Sequence, residues 1–119
     1  MKCLDTYALV EIHNGNPRFA HLLNDDVAIT DITMAEFYAD LYRKHGLKTA
    51  DYWHKKLSFL CMPVSRDILV KAVRLRIDHK KQNFSFFDCV GYIYAGENNM
   101  QFVTGDKEFR GMKGMEFIT

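Results

Sequence analysis

The chain has 119 residues, of which 48% are hydrophobic and 13% aromatic, and this composition is sufficient for one compact domain, expected over residues 1–119. The formal net charge of +1 excludes a strong overall attraction to polyanions, so nucleic-acid binding would have to come from local patches. Because no apolar leader and no run of about 18 uncharged apolar residues is present, we expect a soluble, cytoplasmic protein without membrane spans.

Strands and helices alternate in the first half of the chain. Residues 2–5 form a very short predicted strand, and the apolar spacing after it favours a helix that ends at the Asn-Gly-Asn-Pro sequence of residues 14–17. A short helix over 18–23 and a buried strand over 26–30 are predicted next. From Thr33 the apolar residues follow helical spacing, and Gly46 is the expected end of that helix.

The second half of the chain continues this alternation. The predicted helices cover residues 48–60, 67–81 and 85–98, and the predicted strands cover 61–64, 100–104 and 116–118. In the first of these helices Tyr52, Leu57 and Leu60 are expected to face inward, and in the second Leu69, Ala72 and Val73. Pro63 argues against a central strand at 61–64, which we interpret as a short strand or an extended link.

Apolar strands followed directly by helices are typical of a parallel sheet that is covered on both faces. We therefore predict an α/β fold, a three-layer α/β/α sandwich with a short, mostly parallel central sheet. In open sheets of this kind, ligands bind at the carboxyl ends of the strands, near the point where the strand order reverses. Acidic residues at those strand ends are the candidates for a functional site.

Four acidic residues are expected at this edge of the sheet. Asp5 follows the first strand, and Asp106 follows the strand predicted near residue 100. Glu36 lies in the first turn of the helix after the second strand, and Asp88 begins a later helix. The four side chains therefore map to one edge.

Helix capping offers a purely structural explanation for these acids. Asp5 and Asp106 suit the N-cap position, and Thr33 and Ser85 each precede an acid by three residues, as in a capping box. Taken singly, each acid is more often structural than catalytic. Taken together, four carboxylates repel one another by roughly 4 kcal/mol for each pair about 4 Å apart at an effective dielectric constant near 20. A cation such as Mg²⁺ or Mn²⁺ would relieve that repulsion.

The segments that carry these acids resemble the signature segments of a known nuclease family. They are Cys3-Leu4-Asp5-Thr6, Thr33-Met34-Ala35-Glu36-Phe37, Phe86-Phe87-Asp88-Cys89 and Thr104-Gly105-Asp106-Lys107-Glu108-Phe109. In order and spacing the set resembles the PIN-domain family over essentially the whole chain, and most of all its VapC-type toxin ribonucleases. The resemblance implies a PIN-like fold and an endoribonuclease that cleaves RNA with Mg²⁺ or Mn²⁺.

The same resemblance implies roles for individual residues and partners. The metal ligands or water-positioning groups would be Asp5, Glu36, Asp88 and Asp106. Thr104 would orient this cluster, while Thr6 and Glu108 would be accessory residues. A cognate antitoxin and a homodimer are the partners that the family implies.

Other features of the sequence point to RNA or protein contacts less strongly. Arg74, Lys80 and Lys81 belong to the densest basic run and could contact RNA phosphates, although such a run is more often a solvated helix face. Tyr92 and Gly91 share a helix face with Asp88, so we expect Tyr92 to line the cleft and Gly91 to leave room there. The helix at 48–60 carries enough apolar surface for a dimer or antitoxin interface, or for ordinary core packing.

Two other classes of function remain open at this stage. A non-catalytic relative could use the fold to bind RNA or protein, in keeping with the nearly neutral net charge. An acid-pocket phosphotransferase would use Asp5 as the phosphate acceptor, but the Asp-x-Asp motif of one such superfamily is missing, since Thr6 and Tyr7 follow Asp5.

Overall fold

A parallel sheet forms the centre of the molecule. The structure, a computed structural model, describes residues 1–118. Among these residues the strands are β1 (Lys2–Leu4), β2 (Val27–Thr30), β3 (Cys61–Met62), β4 (Gln101–Thr104) and β5 (Met115–Phe117). They lie in the order β3-β2-β1-β4-β5, and every neighbouring pair is parallel. Pro63 directly follows the edge strand β3, where a missing N–H does little harm.

Helices cover both faces of this sheet. They are α1 (Thr6–His13), α2 (Asp31–His45), α3 (Leu47–Leu57), α4 (Arg66–Asp78) and α5 (Phe86–Glu97). Short 3₁₀ turns occupy Ala20–Asn24, Ser58–Leu60, Lys80–Gln82 and Lys107–Phe109. One apolar cluster joins α1, α2 and α3 to the sheet, and a second joins α4 and α5 to the opposite face. The predicted three-layer α/β/α sandwich is thereby confirmed.

The two central strands, β1 and β4, are mostly apolar because each contributes to both clusters. Leu4 and Val103 pack with the first three helices, whereas Cys3 and Phe102 pack with α4 and α5. All four side chains are fully buried. Because helices cover both faces of the sheet, side chains on neither face of these strands point to solvent. This explains why the strands are continuous hydrophobic runs and do not alternate with polar residues. Within residues 1–118, no helix has the length and apolar character needed to cross a membrane.

The start of α2 differs from the prediction. Thr30, not Thr33, is the N-cap, and its hydroxyl oxygen accepts the Thr33 N–H at 3.0 Å. The Thr30 hydroxyl also donates to the Thr33 hydroxyl at 3.1 Å. Because β2 runs directly into the helix, the last strand residue can cap it, and Thr33 lies buried in the first turn. Glu36 consequently lies in the second turn of α2 instead of the first.

The inward faces of α3 and α4 were predicted only in part. Leu57 is buried, but Tyr52 is 57% exposed. On α4 the core positions are Ile68 and Ala72, while Val73 is exposed. Apolar residues surround α4 on several sides, so the sequence pattern alone did not show which side packs on α5. The helix also ends at Asp78, three residues before the predicted end.

Gly91 allows α5 to approach β4 closely. A Cβ atom added at Gly91 would lie 2.7 Å from Cε1 of Phe102, whose ring is fully buried. The space that Gly91 leaves is therefore filled by the core and not by the cleft, contrary to the prediction. Tyr92 also points elsewhere, because its hydroxyl donates to the Lys113 carbonyl at 2.6 Å.

Alanine substitutions at the two glycines of α5 should differ in their effect on stability. Gly91→Ala is expected to lower the free energy of unfolding by about 1–3 kcal/mol, because the buried Phe102 ring must shift. Gly96→Ala is the matched control, since a Cβ there meets nothing within 4 Å. That variant should be unchanged or stabilised by up to about 1 kcal/mol through helix propensity. Urea titration of both proteins measures the difference, and equal effects would contradict the packing described here.

Candidate functional site

The strand order reverses at β1, and this point defines the candidate site. From β1 the chain goes to β2 and β3 on one side of the sheet, and later to β4 and β5 on the other. Asp5 follows β1 directly, and Asp106 lies two residues beyond β4. Because β1 and β4 are parallel neighbours, their carboxyl ends bring these two acids to the same edge.

Asp5 combines a capping role with an unsatisfied oxygen. Its side chain is 1% exposed, and its Oδ1 accepts the Ala8 N–H at 2.8 Å, which caps α1. Its Oδ2 is also buried, and no residue described in the structure forms a hydrogen bond to it. Capping therefore accounts for only one of the two carboxylate oxygens. A buried oxygen without a partner is energetically costly, which suggests a ligand at this position.

Asp106 is held by the loop that leaves β4. Its N–H donates to the hydroxyl of the fully buried Thr104 at 3.0 Å. Its Oδ1 accepts the Glu108 N–H at 3.0 Å, which caps the 3₁₀ turn Lys107–Phe109. The N-cap interpretation of Asp106 is thus confirmed. Thr104 lies where an orienting residue was expected, and the Glu108 side chain is exposed.

Glu36 and Asp88 reach the same edge from two helices. The Thr6 hydroxyl, at the start of α1, donates a short hydrogen bond to Oε1 of Glu36. Asp88 lies in the first turn of α5, where its N–H donates to the Ser85 hydroxyl oxygen at 3.1 Å. Ser85 is therefore the N-cap of α5, as predicted. Its hydroxyl also acts on the Asp88 carboxyl group, whose pKa it lowers.

Electrostatic repulsion connects the four acids. The pKa of Asp5 is raised well above its ordinary value, first by burial and then by the charges of Asp88 and Asp106, although the Thr104 hydroxyl and the Ala8 N–H lower it. Burial, followed by the charge of Glu36, raises the pKa of Asp88 to about 7, and Asp106 adds to this rise. The structure thus brings the four acids together as a mutually repelling cluster, as expected.

The cluster has the chemistry of a site for a hard divalent cation. The donors are carboxylate oxygens, and the unpartnered Oδ2 of Asp5 is available to a ligand. Among residues 1–118, no three His, Cys, Asp or Glu side chains are arranged to hold an ion by themselves. Mg²⁺ commonly binds through one or two carboxylates and keeps several waters. The residues therefore fit an ion that is bound partly through water.

The predicted basic residues do not line the cleft beside the acids. Arg74 is exposed on α4, which packs on α5 at the other face of the sheet. Lys80 lines a separate cleft with Arg76, Phe84 and Phe86, and Lys81 neighbours it in the same 3₁₀ turn. None of the three predicted residues lines the cleft that opens beside the acids.

That cleft lies between α1 and α2 and has a volume of 280 Å³. Its lining residues are Thr6, Tyr7, Val10, Glu11, Glu36, Asp40, Arg43, Lys44 and Asp88. The sequence-based prediction did not include Tyr7, Arg43 or Lys44. Helical spacing could have identified the two cations, because they follow Glu36 by seven and eight residues.

The fold and the acids define a class of protein, an open-sheet α/β domain with an acidic cleft at the point where the strand order reverses. The sequence matches the PIN domain family over residues 2–115, which is most of the chain, and the protein belongs to this family. Among curated proteins, a sequence search finds no match.

Solved structures of the same fold come from several bacteria. A toxin-antitoxin complex from Klebsiella pneumoniae is 22% identical, with a TM-score of 0.79 over 98% of this chain and 96% of that chain. VapC20 of Mycobacterium tuberculosis, described as a sarcin-ricin loop cleaving toxin, is 18% identical, with a TM-score of 0.82 over 100% of both chains. VapBC2 of Rickettsia felis, solved bound to a DNA fragment from its promoter, is 21% identical, with a TM-score of 0.74 over 98% of this chain and 96% of that chain. These similarities show a shared fold.

The raised pKa of Asp88 predicts a pH-dependent stability of the metal-free protein. The folded-state pKa is about 7, whereas an unfolded Asp titrates near about 4. The folded state is therefore favoured by a protonated Asp88 below about pH 4, and this contribution is lost as the pH rises through about 7. Asp88→Asn should thus stabilise the metal-free protein at pH 8, on the order of 1–3 kcal/mol, and not at pH 4.

Thermal unfolding with a chelator present, at both pH values, measures this effect. Asp67→Asn is the matched control, because Asp67 is also an acid in the first turn of a helix but is exposed and paired with Lys71 at 3.0 Å. It should gain no stability at pH 8. An unchanged melting temperature for Asp88→Asn at pH 8 would contradict this prediction, because the charged Asp88 carboxylate would then not destabilise the folded state.

Proposed function

We propose that this protein is a Mg²⁺- or Mn²⁺-dependent endoribonuclease and acts as the toxin of a toxin–antitoxin pair. The observation that carries this proposal is the cluster of mutually repelling carboxylates, with Asp5 buried among them, at the point where the strand order of a PIN-domain fold reverses. Capping accounts for part of this cluster, but it leaves Oδ2 of Asp5 without a partner. A site for a divalent cation accounts for the remainder.

The residues of the cluster would divide the work as follows. The ion would be held by Asp5, Glu36, Asp88 and Asp106, directly or through water. When bound, it would supply the Lewis acidity that activates a water and stabilises the charge developing on the phosphate. The Thr6 hydroxyl fixes Glu36, and the Thr104 hydroxyl fixes the loop that carries Asp106.

Asp88 gives the site a dependence on pH. With a pKa of about 7, its carboxyl group is partly protonated near neutral pH in the metal-free protein. Cation binding requires the carboxylate, so loading of the site would release this proton. Affinity for the cation should accordingly rise between about pH 6 and 8.

A protein partner is supported by a different surface. Tyr52 and Phe59, near α3, are 57% and 80% exposed, and a cleft of 730 Å³ lies between α2 and α3. Large exposed aromatic groups favour a protein interface, and so does an open groove. Two of the similar structures are described as a toxin-antitoxin complex and as a VapBC complex. We therefore include an antitoxin, a homodimer and a cytoplasmic location in the proposal.

Asp5→Asn separates capping from catalysis. The Asn side-chain oxygen can still accept the Ala8 N–H, so α1 keeps its cap, while the negative charge at Oδ2 is lost. We expect a loss of Mn²⁺-dependent RNA cleavage of about 10- to 100-fold, as is typical when a group in or beside the ligand set of a metal site is changed. Melting temperature should not fall, because a buried charge has been removed.

Asp67→Asn serves again as the control and should cleave RNA as the wild type does. Mn²⁺ should raise the melting temperature of the wild type at pH 8, but not that of Asp5→Asn. Undiminished cleavage by Asp5→Asn would refute the proposed site. RNA binding by the wild type without metal-stimulated cleavage would instead favour a non-catalytic binding module.

A further inference from the structure

The cleft beside the acids has two walls of different chemistry. Thr6, Tyr7 and Val10 of α1 form one wall, while Glu36, Asp40 and Arg43 of α2 form the other. The α2 residues follow one another at i, i+4 and i+7, so they lie on one face of the helix. Two acids of the cluster, Glu36 and Asp88, line the same cleft. A substrate strand that reaches the acids through this cleft therefore passes both walls.

Arg43 is the cation of this cleft that is available to a ligand. Within residues 1–118 it forms no ion pair, whereas its neighbour Lys44 is paired with Asp40 at 3.0 Å. A guanidinium group can bind a phosphate through two parallel hydrogen bonds. At about 1.5 Å of rise per residue, Arg43 lies roughly 10 Å along α2 from Glu36. It is therefore placed for a phosphate beside the reacting one, and not for the reacting phosphate itself.

Tyr7 presents a fixed aromatic ring at the opposite wall. A Cβ atom added at Gly105 would lie 2.6 Å from Cδ1 of Tyr7, so the ring lies directly over this glycine. The Phe19 ring supports Tyr7 from 5.9 Å between centroids. The residue is nevertheless 41% exposed. A ring that is held in place and open to solvent is suited to stacking with an unpaired base.

We propose that Arg43 and Tyr7 position the RNA strand, with Arg43 binding a phosphate next to the cleavage site and Tyr7 stacking on a neighbouring base. The inference rests on the proposed function, because it assigns residues to the substrate of that same site. Arg43 offsets the negative charge of the acids where the polyanionic strand must approach them. Neither residue contributes to holding the cation.

Cleavage kinetics on a short single-stranded RNA test this inference. Arg43→Ala and Tyr7→Leu should each raise KM by about tenfold and leave kcat within about twofold, since base stacking and phosphate contacts act on binding. For Arg43→Ala, the slope of log affinity against log salt should become shallower by about one. Tyr7→Phe, which keeps the aromatic ring, should retain a KM close to that of the wild type.

Arg66→Ala is the matched control, since Arg66 is exposed on α4 at the other face of the sheet. It should keep the wild-type KM and salt slope. If the wild type cleaves RNA and Arg43→Ala and Tyr7→Leu keep wild-type KM, the inference is overturned while the proposed function stands. A fall in kcat together with a lower melting temperature would also overturn it, because both residues would then be structural. A wild type that cleaves no RNA with Mn²⁺ refutes the proposed function instead.

Discussion

Mutual repulsion between the buried carboxylate of Asp5 and its acidic neighbours is the constraint on which the rest of this structure depends. Asp5 is almost completely enclosed, and Asp88 and Asp106 both raise its pKa. Two such charges about 4 Å apart repel by roughly 4 kcal/mol at an effective dielectric constant near 20, which is a large share of the stability of a small domain. The fold offsets part of this cost with backbone N–H groups, since Ala8 donates to Oδ1 of Asp5 and Glu108 donates to Oδ1 of Asp106. A bound cation would convert the same arrangement from a cost into a source of stability.

Capping and ligation are compatible because a carboxylate has two oxygens. In Asp5 one oxygen accepts the N–H at the start of α1, and the other is left for a ligand. Asp106 likewise uses Oδ1 to cap the 3₁₀ turn that follows it. In both acids the cap holds one carboxylate oxygen on a nearby backbone N–H. The buried Thr104 hydroxyl assists at both positions, since it lowers the pKa of Asp5 and accepts the Asp106 N–H. At Asp88 the division is different, since Ser85 caps α5 through the Asp88 N–H. The Ser85 hydroxyl also lowers the pKa of the Asp88 carboxyl group, which the other acids raise.

The two sides of α2 serve different purposes in the proposed function. Glu36 and Arg43 face the cleft shared with α1, where the substrate strand would lie. Met34 and Tyr38 face the larger cleft shared with α3, beside the exposed aromatic side chains that favour a protein partner.

The sequence by itself determined the order of strands and helices, the parallel sheet and the four acids, because apolar runs and residues at strand ends are local signals. Ser85 as a cap was equally local and was predicted. Tertiary structure alone decided that Thr30 caps α2, that Gly91 makes room for Phe102, and that Arg43, not the basic run on α4, lines the cleft with Glu36 and Asp88. These features depend on which helix packs against which strand, and periodicity along a single segment does not encode that choice. Asp5 illustrates both contributions. The sequence predicted its position after the first strand, but only the tertiary structure shows that its Oδ2 is buried without a hydrogen-bond partner.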